Sequence, residues 1–429
     1  VAQAYAATGP SGAGVRGVSS DRLTRTTPSE AGASRDGGAP LDICIVAPPS
    51  LRIPPFHGYG GAQRGIHDLC EVLHARGHRV TLCGPGDSTV TAVDRLIAPL
   101  PHALWEDDSP TPREEREALA RRYADEVAAT LARERFDLVN LRYDDGALLE
   151  AVALQDRAPV LYSCHNPASA RYADVAARLA AAGRLYSNAH NRSHRAQYAN
   201  VPGMHVVPYG MHVAAYRFRP APLSGWTEPP ALPLLRRLWD ERRDYLVFIG
   251  RMGPKKAPAS AIRIARGAGL PLVLCGAPEN RNHPTVEYFE REVLPHVDDR
   301  DVFYFGVCNE AQKQELLGGA RAALFTTGLE VPTWREPHAR VIMEALACGT
   351  PLVAHPHGCA EEIITEDVAV FGRSVDELAR AAAEVGRLDR HACRTYAEHH
   401  FSRERMGAAY EALYRALIAD WARRRGEGG

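Results

Sequence analysis

Lysine is nearly absent from this 429-residue sequence: of its 51 Lys and Arg residues, the lysines are Lys255, Lys256 and Lys313 alone. GC-rich coding leaves such a bias, so the places where lysine survives carry information. Acidic and basic residues nearly cancel, with a formal net charge of −1, which removes the electrostatic case for nucleic acid or an anionic membrane surface as partner. No apolar run approaches the roughly 18 residues that a transmembrane segment needs. Neither a P-loop nor a G-x-G-x-x-G fingerprint is present, which counts against ATP hydrolysis and NAD chemistry. The nine cysteines (Cys44, Cys70, Cys83, Cys164, Cys275, Cys308, Cys348, Cys359, Cys393) are odd in number, scattered, and form no C-x-x-C pair. Most fall inside apolar patterns and read as buried thiols of a reducing compartment, so a cytoplasmic location is expected.

What is present is an α/β pattern. The length implies two domains, and an apolar share of 45% with 24% charged residues is that of a globular protein. Residues 1–40 lack periodicity and an apolar core and read as a disordered tail. From Leu41 onward, strand-like runs ("DICIVAPP", "HRVTLCGP", "FDLVNLRY", "PVLYSCH", "RLYSNAH", "HVVPYG") alternate with helix-like ones. In "GAQRGIHDLCEVLHARG", Ile66, Leu69, Cys70 and Leu73 share one helical face. Short continuous apolar strands separated by helices predict a parallel sheet covered on both faces. The pattern lapses into a Pro-rich stretch at 214–243, read as a linker, and a second alternating series fills 244–403. The expected architecture is two Rossmann-like halves, 41–213 and 244–403, with ligands at the carboxyl ends of their strands, in the cleft between them.

Two stretches carry the chemistry. In "FIGRMGPKKAPASAIRIARGAG" a buried strand ends at Gly250, and Arg251, Lys255 and Lys256 precede a helix, an arrangement suited to a diphosphate; a solvated basic loop is the alternative, and two of the three lysines falling here favour the former. Lys313, after "FYFGVCNEAQ", follows another strand end, where an exposed helix lysine is the alternative. In "WREPHARVIMEALACGTPL" a helix is expected from about Pro337 to Cys348, with its free N–H groups and dipole toward the cleft. Glu336 would then sit at the mouth, and Glu344, two turns in among apolar neighbours, could accept from a vicinal diol.

"EPHARVIMEALACGTPLVA" resembles the E-x7-E region of the retaining GT-B glycosyltransferases, family 4 in particular. Further stretches resemble that family in order: the Gly-Gly loop of "FHGYGGAQRG", "VLYSCHNP", "VPYGMHVAAYRF", "GRMGPKKA" and "HGCAEEII". The resemblance spans nearly all of Leu41 to Trp421. It implies a GT-B fold and a metal-independent transfer of sugar from a nucleotide diphosphate sugar to an acceptor hydroxyl, without a cofactor. It implies that Arg251 and Lys256 hold the diphosphate, with backbone N–H from the Gly60–Gly61 loop. Glu336 would meet the donor sugar, Glu344 the ribose, and Cys308 and Lys313 the base. His165 would lie near the reacting sugar carbon, and Glu361 matches the glutamate of the G-G-x-x-E segment. His165, Glu336, Arg251 and Lys256 are thus the residues expected at the chemistry. The family's last helix returns to the N-terminal domain, here at about 404–425. Departures are Ala257 for the glycine after the lysine, His338-Ala339 for Phe-Gly, and a missing Asp after Gly210.

"DRD" at Asp299–Asp301 leads into a strand rather than following one and reads as a solvated turn; His355 and His357 lack a third ligand, so no metal is expected. Rival readings are a nucleotide-sugar epimerase or hydrolase of the same fold, and a non-catalytic nucleotide-sugar-binding subunit. The acceptor, a small molecule or glycan of natural-product or cell-envelope biosynthesis, is not encoded in any motif.

Overall fold

The computed structural model describes residues 38–55, 60–105, 112–278 and 284–426. Expectations for the 1–40 tail, apart from its last three residues, and for the part of the Gly-Gly loop at 56–59 lie outside the described residues. The first sheet contains β1 (Asp42–Val46), β2 (Arg79–Cys83), β3 (Arg95–Ile97), β4 (Leu138–Leu141), β5 (Val160–Ser163), β6 (Tyr186–Ala189) and β7 (His205–Val206), in the order β3-β2-β1-β4-β5-β6-β7. The second contains β8 (Leu246–Ile249), β9 (Leu272–Cys275), β10 (Val302–Gly306), β11 (Ala322–Phe325), β12 (Leu352–Ala354) and β13 (Ala369–Phe371), in the order β10-β9-β8-β11-β12-β13. Every strand pair in both sheets is parallel. Central strands such as β4 and β11 are buried along their whole length, as a sheet with helices on both faces requires.

Each sheet reverses its winding beside its first strand, between β1 and β4 and between β8 and β11. The helix Gly61–Ala75 follows β1 and buries Ile66, Leu69, Cys70 and Leu73. It begins after Gly60, whose φ of 102° suits a residue without Cβ. The chain leaves the first half at Met211 and returns at Ser402, and the two crossings lie side by side. Met211 N donates to Phe401 O (2.8 Å), and Arg403 N to Met211 O (2.9 Å). Gly210 is required there, because a Cβ would fall 2.6 Å from Ser402 O.

The helix Arg403–Arg424 packs on the first half, burying Met406, Tyr410, Leu413, Tyr414 and Leu417 in the cluster that contains Ile43, Ile45, Leu69 and Val80. A buried polar ladder ties it to the sheet. Asn140 Nδ2 donates to Tyr414 OH (2.7 Å), Asn188 Nδ2 lies 3.3 Å from Tyr410 OH, and Ser163 Oγ bridges the two asparagines. Trp421, farther along the same helix, is half-exposed beneath Arg425. The Pro-rich stretch is no bare connector: it forms the helix Pro233–Asp240 and buries Leu223, Trp226, Leu235 and Leu238 against the second sheet. No helix among the described residues is long and apolar enough to cross a membrane.

Candidate active site

The expected site residues converge on the carboxyl edges of both sheets, and those of the second half are already paired with one another. Lys256, in the loop after β8, forms an ion pair with Glu336, whose carboxylate also accepts from Trp334 Nε1 (3.3 Å). Burial opposes ionisation of Glu336, but Lys256 outweighs it and the carboxyl is held below its ordinary range. Lys255 turns away and lies over the Trp334 ring, 4.1 Å from its centre. Arg251 is exposed on the same loop. Ala257, where the resembling motif has glycine, adopts the left-handed conformation with φ 57°, a strained choice for a residue with Cβ.

Glu344 is buried and encircled by donors: Lys313 Nζ at 2.7 Å, Arg340 Nε at 3.1 Å and Tyr216 OH at 3.1 Å. Burial alone would raise its pKa, yet Lys313 and Arg340 pull it down to about 2. Lys313 is therefore no exposed helix lysine; it is 2% exposed and also bridges to Glu310. Cys308 is buried near Lys313, after β10. Glu361 is exposed and stands outside these pairs, while its neighbour Glu362 accepts from Ser193 N (3.0 Å) of the first half.

Two expectations about helix termini change. The E-x7-E helix runs Arg340–Ala347, starting three residues later than Pro337 suggested. The segment before it stays extended, with Cys359 N donating to Glu336 O (3.0 Å). Glu336 therefore faces Lys256 from a loop. The helix Pro258–Ala268, after the two lysines, is not an open anion site. Its Ser260 N–H donates to Glu330 (2.9 Å), and Ala259 N–H reaches Tyr288 OH (3.3 Å). The helix at Arg340 has no side-chain cap, and its first turn faces Gly61, whose added Cβ would stand 3.9 Å from Arg340 Cβ.

The halves are latched across the cleft. Arg340 Nη1 meets Asp68 (2.8 Å), Arg64 meets Glu310 (3.0 Å), and Asn191 Nδ2 donates to Pro337 O (2.6 Å). His165 follows β5 and belongs to a buried group that sequence reasoning did not assemble. Arg142 directly follows β4, His190 directly follows β6, and His338 comes from the second half. Ring centres stand 5.1 Å apart for His165–His190 and His190–His338 and 5.8 Å for His165–His338, with Tyr209 4.5 Å from His338. Burial holds His165 and His190 well below the usual histidine range, His194 down to about 4 and His338 to about 3. All four are neutral at pH 7. A signal for Arg142 and His190 was available: both occupy the strand-end positions at which parallel sheets present side chains to ligands.

Residues considered for metal are spent elsewhere. Asp298 caps the turn around "DRD", accepting from the N–H groups of Arg300, Asp301 and Val302. His355 and His357 bond backbone carbonyls of Thr327 and Trp334, each at 3.0 Å. Among the described residues, His67, Asp68 and Glu71 bring three ligand atoms together. Two of the three are committed, Asp68 to Arg340 and Glu71 to Arg403.

Comparison with known proteins agrees with this architecture. Residues 236–400 match the glycosyl transferases group 1 family, and residues 59–200 match glycosyltransferase family 4. A D-inositol 3-phosphate glycosyltransferase of Salinispora tropica is 30% identical over 178 residues, which span 38% of this chain and 34% of that relative. The chain thus matches about a third of the length of that curated relative. Among solved structures, sucrose-phosphate synthase of Thermosynechococcus elongatus has a TM-score of 0.67 at 19% identity, covering 88% of this chain and 99% of that one. AviGT4, a glycosyltransferase involved in avilamycin A biosynthesis, has a TM-score of 0.61 at 22% identity, covering 89% and 98%. HepE of Anabaena, solved with UDP and glucose, has a TM-score of 0.63 at 17% identity, covering 88% and 100%. At these identities the structural likeness speaks for the fold. With both halves matched in order and two facing parallel sheets, the chain belongs to the group 1 glycosyltransferases of GT-B architecture.

Proposed function

We propose that this protein is a retaining glycosyltransferase that moves a sugar from a nucleoside diphosphate sugar to an acceptor hydroxyl, with side-chain cations taking the place of a metal at the diphosphate. The observation that carries the reading is the paired Lys256–Glu336 and Lys313–Glu344 set on the carboxyl edge of the second sheet, opposite the start of the first helix. HepE, solved with UDP and with UDP-glucose, and starch synthase IV, solved with ADP, are structural relatives of this chain. They support a nucleotide donor.

Sugar transfer expels an anionic diphosphate while positive charge grows on the ring. Lys256 and Arg251, on one loop, stabilise the leaving group, and because they are fixed beforehand little reorganisation is needed. A donor diphosphate competes with Glu336 for Lys256, which frees the Glu336 carboxylate for the sugar. Glu344 keeps its charge through Lys313 and Arg340 and accepts from the ribose hydroxyls. His165 is neutral and next to the cleft, so it does not act as a base. The departing phosphate takes the acceptor proton on the same face, which retains the anomeric configuration.

Calorimetry with UDP and turnover of UDP-glucose separate the two glutamates. Glu344→Ala is expected to weaken UDP binding at least tenfold, whereas Glu336→Ala leaves UDP affinity within a few-fold and slows transfer. The opposite pattern rejects these roles. Activity is expected to survive excess chelator, and consumption of donor to require an acceptor.

A further inference from the structure

We infer that the carboxyl edge of β4, β5 and β6 is an anion subsite, and that the acceptor carries a phosphomonoester or carboxylate group that seats there. The inference deepens the proposed function and rests on it. Arg142, His165 and His190 follow three neighbouring strands of the first sheet, and they are 1%, 5% and 4% exposed. Arg142 Nε donates to His165 Nε2 (3.0 Å), and Arg142 Nη1 to Tyr410 OH (3.0 Å). Neither partner is charged. Because His165 Nε2 accepts, its ring proton lies on Nδ1.

That Nδ1–H, Arg142 Nη2, both ring nitrogens of His190 and Nδ1 of His338 are buried without a hydrogen-bond partner among the described residues. Four side chains thus present unused polar atoms, three of them certain or available N–H donors, around one full positive charge. The acids nearby are committed: Asp68 to Arg340, Glu336 to Lys256, and Asp144 to Tyr162 and Asn166. A buried guanidinium with no carboxylate costs several kcal/mol, and unmet buried donors add to that cost. One anionic group with several oxygens answers both deficits at once. Neutral histidines complete such a site without demanding a second counter-charge. His338 belongs to the second half and its ring stands against His165 and His190, so entry by this proposal requires the latched halves to part. The position also suits an acceptor, because His338 continues through Pro337 to Glu336, which faces the donor.

The test uses calorimetry on the full chain saturated with UDP, which blocks the diphosphate site. Inorganic phosphate and acetate are titrated in separate arms, into wild type, Arg142→Gln and His190→Phe. Saturable binding of either anion to wild type, weakened at least tenfold in both variants, supports the subsite. Phosphate alone assigns a phosphorylated acceptor; acetate alone assigns a carboxylated one. Should Arg142→Gln fail to fold, His190→Phe, which keeps the ring and removes both nitrogens, carries the comparison. UDP binding with no anion binding, or with equal anion affinity in folded variants, overturns the subsite and leaves the donor reading intact. Failure of wild type to bind UDP overturns the donor reading and, with it, the assignment of this anion to an acceptor.

Discussion

The carboxyl edges of the two sheets solve opposite electrostatic problems. On the second sheet, buried charges come in pairs: Lys256 with Glu336, and Glu344 with Lys313 and Arg340. On the first, a buried Arg142 sits among neutral histidines and tyrosines, with no carboxylate paired to it among the described residues. A paired edge is stable without ligand and must be opened by competition. An unpaired edge stores unmet donors that a ligand relieves. On the proposed reading, the second edge exchanges partners when ligand binds and the first gains one.

The sharpest way to break the comparison is to remove what backs the first edge alone. Arg142 leans on Tyr410, and the asparagine ladder behind it on Tyr410 and Tyr414, all through the helix Arg403–Arg424. Five buried apolar and aromatic side chains leave with that helix, at roughly 1.5–3 kcal/mol each, against a net stability of about 5–15 kcal/mol. Truncation after Ser402 should give an insoluble or early-melting protein, read by thermal denaturation; a folded and active product contradicts this. Next in size is the paired edge. Lys256→Ala should cost about 2–4 kcal/mol of transition-state stabilisation, roughly 30- to 1,000-fold in kcat/KM. Lys255→Ala, which loses a stack on Trp334, should cost less than fivefold by the same assay. Equal losses at the two lysines would show that the loop acts as a diffuse positive patch.

The two edges should also separate in acid. Histidines neutral in the folded protein take up protons on unfolding below the ordinary value of about 6.5. Their folded-state values are depressed, so stability is fully present above pH 6.5. It falls as pH drops toward about 4 for His194 and about 3 for His338. The slope is about 1.4 kcal/mol per pH unit for each histidine kept neutral. Glu344, held down to about 2, adds its own loss below the ordinary carboxylate range of about 4.3. Urea melts between pH 7 and 5 should therefore report all the depressed histidines, with His78, His205, His355 and His400 adding to the cleft group, and His338→Phe should remove its own share of the slope. An unchanged slope would show that His338 is not held neutral. The smallest effect concerns the loop after β8: Ala257→Gly relieves a left-handed alanine and should raise stability by about 1 kcal/mol. A lower melting temperature for that variant would mean that packing of the Ala257 methyl outweighs its backbone strain.

Much of this was legible in the chain itself. Short apolar strands such as "LVNL" and "LVLC" alternating with amphipathic helices favour a parallel sheet covered on both faces, so the order of elements along the chain pointed to two Rossmann-like halves. Rare lysines and a glutamate amid apolar residues marked the second edge, because a charge in an apolar setting needs a partner. Which partner was a tertiary matter: Lys313 and Glu344 are 31 positions apart, and Arg340 and Asp68 are 272 apart. Glu330, far along the chain, likewise took the helix start that the lysine loop was expected to leave open. Arg142, His165, His190 and His338 carry no spacing signature, since each belongs to a different strand end or loop. Parallel sheets align strand ends that are distant in sequence, and burial then sets the protonation state of whatever stands there.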